Sequence, residues 1–272
     1  MIARTDPYNV VLDITPSMAA RWLEGNTHNR PISQGHVERL AREMKAGRWR
    51  LTHQGIAFSP SSRLLDGQHR LWAVVLADVT VTMRVFFNEP PENIECLDGG
   101  LARSAAHRMS LSQRFGQDIN YKHLATLRCM VRGLNPQQRM SYGEEAELLA
   151  RHMEAICFSL RHLKMTERAR GVGTAVTRAV VARAWYSIDP EKLVHFCTVL
   201  RTGLATCPAD EPIILLRDYL VASEKGRGAL AVIREHYGKT ERALKAHLAG
   251  ESLGRLYAVA SELFPLPEEV RR

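Results

Sequence analysis

No run of about 18 uncharged apolar residues occurs in the chain, so no membrane-crossing helix and no membrane partner is expected. The opening Met1-Ile2-Ala3-Arg4-Thr5-Asp6 lacks the apolar core of a secretory leader, which makes a cytoplasmic location the expectation. Cysteine is scarce and unpaired in sequence. The five residues Cys96, Cys129, Cys157, Cys197 and Cys207 form no Cys-x-x-Cys pair and sit mostly in helix-like apolar context, so buried free thiols are expected rather than disulfides or zinc ligands. The 11 histidines offer no His-x-x-x-His or His-Glu-x-x-His spacing, and no local metal site is read from them. Aromatic residues make up only 7% of the chain, and Trp72, Trp185 and Tyr186 lie at helical spacing that suits a core better than a base-stacking platform. No period of about 20 to 50 residues recurs, which excludes a solenoid.

The ordinary features of a globular protein are present: 272 residues, 45% apolar and 24% charged. What is uneven is the charge. Residues 1–104 hold 12 Lys and Arg against 11 Asp and Glu, whereas 105–272 hold 25 against 18, so nearly all of the net +8 belongs to the second part. Within it Arg161, Lys164, Arg168, Arg170 and Arg178 have only Glu167 as a nearby acid. That density suits contact with a phosphate backbone, whose strength comes from counterion release; a solvated helix face in a basic protein accounts for it equally well.

The densest chemistry lies in Asp66-Gly67-Gln68-His69-Arg70, set between two short apolar strand-like pieces (55–59 and 63–65) and an apolar helix-like run from Leu71. A period-two segment, Val79 to Phe87, comes next. Glycine at a helix start lets backbone N–H groups approach an anion closely, and the first-turn donors have no helical acceptor. Arg70 adds a planar cationic fork and His69 a titratable group. A plain helix cap by Asp66 is the competing reading.

The stretch from about Asn29 to Phe87 resembles the ParB/sulfiredoxin superfamily, in the branch that carries Asp-Gly-Gln-His-Arg. The likeness rests on Asn29-Arg30-Pro31, the helix after it with Val37, Leu40, Ala41 and Met44 on one stripe and Gly47 as its stop, the strand pair, and the motif itself. Sulfiredoxins carry a cysteine in the equivalent turn where this chain has Gln68, so sulfinic-acid reduction is not expected. The resemblance implies a small mixed sheet with helices and a nucleoside triphosphate flanked by Arg30 and the turn Gly67, Gln68 and Arg70; Asp66 or Asp98 would hold Mg²⁺ or activate a hydroxyl there. It also implies a setting in DNA transactions of phage or mobile elements, in which case the location would be the host cytoplasm.

A second cluster, Asp98-Gly99-Gly100-Leu101-Ala102-Arg103-Ser104, repeats the order acid, glycine, arginine before a helix. Asp98, Gly100, Arg103 and Ser104 would then converge with Arg70 on one ligand, Asp66 and His69 being the candidate catalytic groups. Beyond it the chain reads as helices throughout: one over His123–Val131, one opened by the Ser141-x-x-Glu144 capping box, one from Thr174, one from Asp189-Pro190, one opened by 208–212, and two at the end over Ala229–His236 and Lys239–Gly250. The expectation is an α+β protein with a ParB/sulfiredoxin-like nucleotide-binding domain over 1–104 and a basic all-helical domain over 105–272. Its function would be nucleotide-dependent association with DNA, possible homodimer formation included; the alternatives are an enzyme (NTPase, phosphotransferase or nuclease) and an interaction module in which the turns are only caps.

Overall fold

The computed structural model describes residues 6–26, 29, 31–96, 104–111, 115–116, 118–135, 140–164, 171–223 and 230–270. Four strands make one mixed sheet in the order β1-β4-β2-β3: β1 (Tyr8–Ile14), β2 (Ile56–Phe58), β3 (Leu64–Asp66) and β4 (Val81–Phe87). β1 and β2 flank β4, antiparallel and parallel to it respectively, and β3 closes a hairpin on β2. Three helices accompany the sheet, α1 (Pro16–Glu24), α2 (Gln34–Lys45) and α3 (Gln68–Ala77). Among the described residues every strand precedes residue 88, and the elements beyond it are helices.

Local sequence explains these elements. The alternation of β4 buries Val81, Met83 and Val85 and leaves Thr82 exposed. On α2 the stripe Val37, Ala41 and Met44 is buried, and these residues join Ile14, Ile56, Leu71 and Val74 in one core. Thr15 caps α1 by accepting the Met18 N–H at 3.2 Å, with Pro16 at the first helical position where a missing N–H costs nothing. Trp72 is not a core residue as expected: it lies on the outer side of α3, 42% exposed.

Two glycines fix how the strands meet the motif. Gly67 has φ +102°, a left-handed conformation that side chains rarely adopt, and a Cβ there would sit 3.0 Å from Ile56 Cγ1. Gly55 is required by space alone, since a Cβ would fall 2.0 Å from the Arg84 carbonyl oxygen on β4. Gly55→Ala is therefore expected to separate β2 from β4 and cost about 1–3 kcal/mol, as overpacking does; a denaturation midpoint unchanged from the parent would count against this close approach.

The chain divides into two compact units, one of residues 1–103 with 139–144 and one of 104–138 with 145–272. In the first unit, the segment at 140–144 is tied down by Ser141 Oγ donating to Glu43 Oε1 at 2.6 Å and by Arg42 Nε on Glu144 Oε1 at 3.3 Å. The anticipated capping box is there: Ser141 N–H donates to Glu144 Oε2 at 2.6 Å and Glu144 N–H to Ser141 Oγ at 3.2 Å.

The second unit contains α4 (Ala105–Leu111), α5 (Tyr121–Arg132), most of α6 (Tyr142–His162), α7 (Ala175–Ala184), α8 (Pro190–Thr202), α9 (Glu211–Ala222), α10 (Leu230–Ala249) and α11 (Pro267–Val270). The two expected terminal helices are one. α10 runs through Gly238 without a break because that glycine marks a close approach: a Cβ would lie 2.7 Å from the Val259 carbonyl oxygen. Of the described cysteines only Cys197 is fully buried, and burial pushes its thiol up to about 12; Cys207 is exposed, contrary to the expectation of buried thiols.

Candidate functional site

The motif opens where β3 ends and α3 begins. Asp66 is the last residue of β3, Gly67 turns the chain, and Arg70 lies in the first turn of α3. Asp66 Oδ1 accepts the N–H of the adjacent Gly67 at 2.7 Å; Gly67 itself is the N-cap residue of α3 and no side chain caps that helix, so Asp66 is not its cap, and its carboxylate remains about half exposed. Arg70 Nη1 donates to the Gly55 carbonyl at 2.8 Å and to Asp66 Oδ2 at 3.4 Å, while Nη2 reaches Gln54 Oε1 at 3.3 Å. The guanidinium is thus held in one orientation by three acceptors from two strands' ends.

Asp66 and Arg70 border a pocket of about 380 Å³ lined also by His53, Gln54, Gly55, Ala57, Leu65, Phe86, Glu89 and Asn93. Its wall is apolar where Ala57, Leu65 and Phe86 meet, and its polar groups are two carboxylates, one guanidinium, one imidazole and two amides. A planar, partly apolar ligand with hydrogen-bonding edges fits such a lining. The carboxylates of Asp66 and Glu89 are hard oxygen donors of the kind that hold Mg²⁺.

Gln68 and His69 turn the other way. Gln68 Oε1 accepts from Asn26 Nδ2 at 3.1 Å, and the Ser33 backbone N–H donates to His69 Nε2 at 3.0 Å. Asn29 Nδ2 donates to the Leu64 carbonyl at 2.8 Å and to Asn26 Oδ1 at 2.6 Å. Both motif residues are buried, and the His36 ring meets His69 edge-on at 5.3 Å. The expectation that His69 is an acid or base of the site is corrected: its Nε2 lone pair already receives the Ser33 N–H, and the side chain does not line the pocket. It fastens Ser33 to the start of α3.

Of the other expected ligand residues, Arg30, Asp98, Gly100 and Arg103 lie outside the described residues, so the proposed convergence of Arg70 and Arg103 falls outside them too. Ser104 is exposed and precedes α4, its carbonyl accepting the Arg108 N–H at 3.0 Å. Of the five expected DNA contacts, Arg168 and Arg170 also lie outside, and Arg161 and Lys164 are exposed at the end of α6. Arg178 is not on a solvated face as expected. It is 4% exposed, and its Nε and Nη2 donate to the Leu163 carbonyl at 3.2 and 2.9 Å.

No family model, curated protein or solved structure matches this chain. The reading of the site accordingly stands on its residues.

One cluster escaped the sequence because its members are far apart in the chain: His195, Asp210 and His247, whose ligating atoms lie within 4.8 Å of one another. Asp210 is fully buried. Burial pushes its carboxyl up, but the N–H groups of Thr206 and Cys207, the Thr206 hydroxyl and His195 outweigh that and hold it at about 2. His195 Nε2 lies 2.8 Å from Asp210 Oδ1 and His247 Nδ1 2.9 Å from the Ala209 carbonyl, so hydrogen bonds already close the cluster.

Proposed function

We propose that the first unit is a ParB/sulfiredoxin-like nucleotide-binding domain of the Asp-Gly-Gln-His-Arg branch and that the basic helical unit engages DNA, in the setting of phage or mobile-element DNA transactions. The observation that carries the nucleotide part is the pocket at the start of α3, where a pre-oriented Arg70 and a half-exposed Asp66 stand beside an apolar wall containing Phe86. The ties from Asn26 and Ser33 to the motif support the same reading, since they hold these two residues against the helix start that would meet phosphates.

The residues fit a nucleoside triphosphate with Mg²⁺ in this sense. Arg70 is the one guanidinium in the lining, and it is matched against two carboxylates, Asp66 and Glu89. A bare polyanion would meet net negative charge there; a divalent cation held by those carboxylates removes the conflict. When bound, the cation would neutralise phosphate oxygens, while Arg70 would orient them and the apolar wall would take the base.

Thermal denaturation with ATP, GTP, CTP or UTP, each with Mg²⁺, tests this. One nucleotide is expected to stabilise the protein, by about 2.7 kcal/mol at a hundredfold excess over Kd, and Arg70→Ala is expected to abolish that stabilisation. Because Arg70 also holds Gly55, Asp66→Asn serves as a second variant that spares the Gly55 contact. A flat panel across all four nucleotides overturns the nucleotide reading. The enzyme reading (phosphotransferase or nuclease) draws on the exposed carboxylate of Asp66; it requires turnover of nucleotide or nucleic acid that Asp66→Ala abolishes with the fold intact.

A further inference from the structure

Helix α7 carries two buried arginines with opposite surroundings. Arg183 is enclosed by the carboxylates of Glu262 and Glu269 and by the carbonyls of Phe264 and Met130. Arg178, five residues earlier and nearly as buried, has one acceptor, the Leu163 carbonyl, and no carboxylate partner among the described residues. A guanidinium stays charged in a protein, and a buried charge without a counter-charge is costly. Burial indeed lowers the Arg178 pKa, with only the Tyr121 phenol acting against it.

Arg178 forms part of a pocket of about 480 Å³ together with Lys122, Arg161 and Lys164. Among the described residues none of these cations is paired with a carboxylate and no acid lines the pocket. His123, also in the lining, has its Nδ1 3.3 Å from the Asn120 backbone nitrogen and 3.1 Å from the Asn120 side-chain oxygen, and burial lowers its pKa. Four cationic residues in one lining, with no acid among the described residues, describe a seat for an anion of more than one charge. Next to Lys122 in the chain stands Tyr121, 72% exposed and close enough for its phenol to act on Arg178. An exposed aromatic ring beside a cationic recess is the pairing that stacks an unpaired base while its phosphate is neutralised.

We infer that this pocket is a phosphate seat and that its partner is a single-stranded nucleic acid, with one phosphate on Arg178, Arg161, Lys164 and Lys122 and a neighbouring base on Tyr121. For its partner this rests on the reading of the helical unit given above; the phosphate seat itself does not. The seat is separate from the pocket at Arg70 and uses none of its residues.

The test is fluorescence anisotropy of the full chain with a labelled single-stranded oligonucleotide, competed by unlabelled strand, by duplex of the same sequence and by inorganic phosphate. Arg161→Ala with Lys164→Ala, both exposed and remote from the core, is expected to weaken binding about tenfold or more and to lower the salt slope by about 1.4, as two lost single-strand phosphate contacts would. Tyr121→Ala should weaken strand binding about fivefold or more while leaving stabilisation by inorganic phosphate unchanged. Arg178→Lys, checked for fold by circular dichroism, should weaken both. Wild-type affinity in the Arg161→Ala/Lys164→Ala protein overturns the seat. Stabilisation by phosphate without strand binding keeps the seat but overturns the nucleic-acid partner, and better competition by duplex than by strand overturns the single-strand assignment. The nucleotide panel at Arg70 is read without oligonucleotide, so failure of either reading is seen separately.

Discussion

Arg183→Ala is expected to remove about 3–5 kcal/mol of stability from the helical unit, enough to unfold it at ordinary temperature in many proteins, because it empties a buried site and leaves the partly buried Glu262, the more exposed Glu269 and two buried carbonyls without their partner. The arginine is wholly buried and joins pieces far apart in sequence. Its Nε donates to the Phe264 carbonyl at 2.8 Å and its Nη1 to the Met130 carbonyl at 2.7 Å, while Nη2 pairs with Glu269. Glu262 approaches the guanidinium at 3.5 Å, and it also accepts the Leu134 N–H and the Tyr237 hydroxyl. Burial acts to lower the Arg183 pKa, but Tyr237, Glu262 and Glu269 more than offset it and hold the charge in place. Urea denaturation followed by circular dichroism measures the loss; a change below about 1 kcal/mol, the scale of an exposed pair, would mean that the cluster contributes no more than a surface ion pair.

Glu241→Gln should have the opposite sign at alkaline pH. Glu241 is fully buried in α10 and accepts the N–H groups of Leu263 and Phe264 at 3.2 to 3.4 Å. Burial, helped by the Glu262 charge, pushes its carboxyl up to about 8 against the pull of those N–H groups and of Arg183. A carboxyl whose folded value exceeds its unfolded one holds its proton longer in the native state. Its stabilising share is therefore complete below the unfolded value near 4.5 and is lost progressively as pH rises to about 8. The limiting slope for one group is about 1.4 kcal/mol per pH unit. Glutamine carries no proton to lose and still offers an oxygen to Leu263, so the variant should be more stable than the parent at pH 8 and above, with a flatter profile between 4.5 and 8. Parallel profiles for the two proteins would show that Glu241 is already charged in the folded state.

Elements built from local rules were legible in the sequence. The stripe of α2, the alternation of β4, the Ser141–Glu144 capping box and the caps at Thr174 and Asp189 are written within a few residues, and each has the expected place in the fold. β1 and α1 went unread although Thr15-Pro16 is a helix-start signal, because on this edge strand the exposed face of Tyr8–Ile14 carries Val11 between Asn9 and Asp13, which blurs the polar–apolar alternation. Gly238 misled for a different reason: it suits a chain crossing as well as a break, and nothing nearby in sequence announces Val259.

The site was legible only in part. That Asp66 and Arg70 belong together is implied by their spacing across a strand end and a first helical turn, but that Gln68 faces Asn26 and His69 faces Ser33 depends on partners about 36 to 42 residues away. The basic run read as five surface cations likewise concealed a buried one. Arg178 and Arg183 look alike in the sequence, and only the tertiary packing gives one its carboxylates and the other none among the described residues.

The return of residues 139–144 to the first unit governs how the gene should be cut. A fragment stopped at residue 103 would deprive Glu43 of the Ser141 hydroxyl and Arg42 of its carboxylate, and would uncover the spot where Gly143 lies so near Glu43 that a Cβ would fall 2.2 Å from its Oε2. Isolating the first unit for crystallography or spectroscopy therefore calls for a grafted linker that carries 139–144 back to α2, not a simple stop codon.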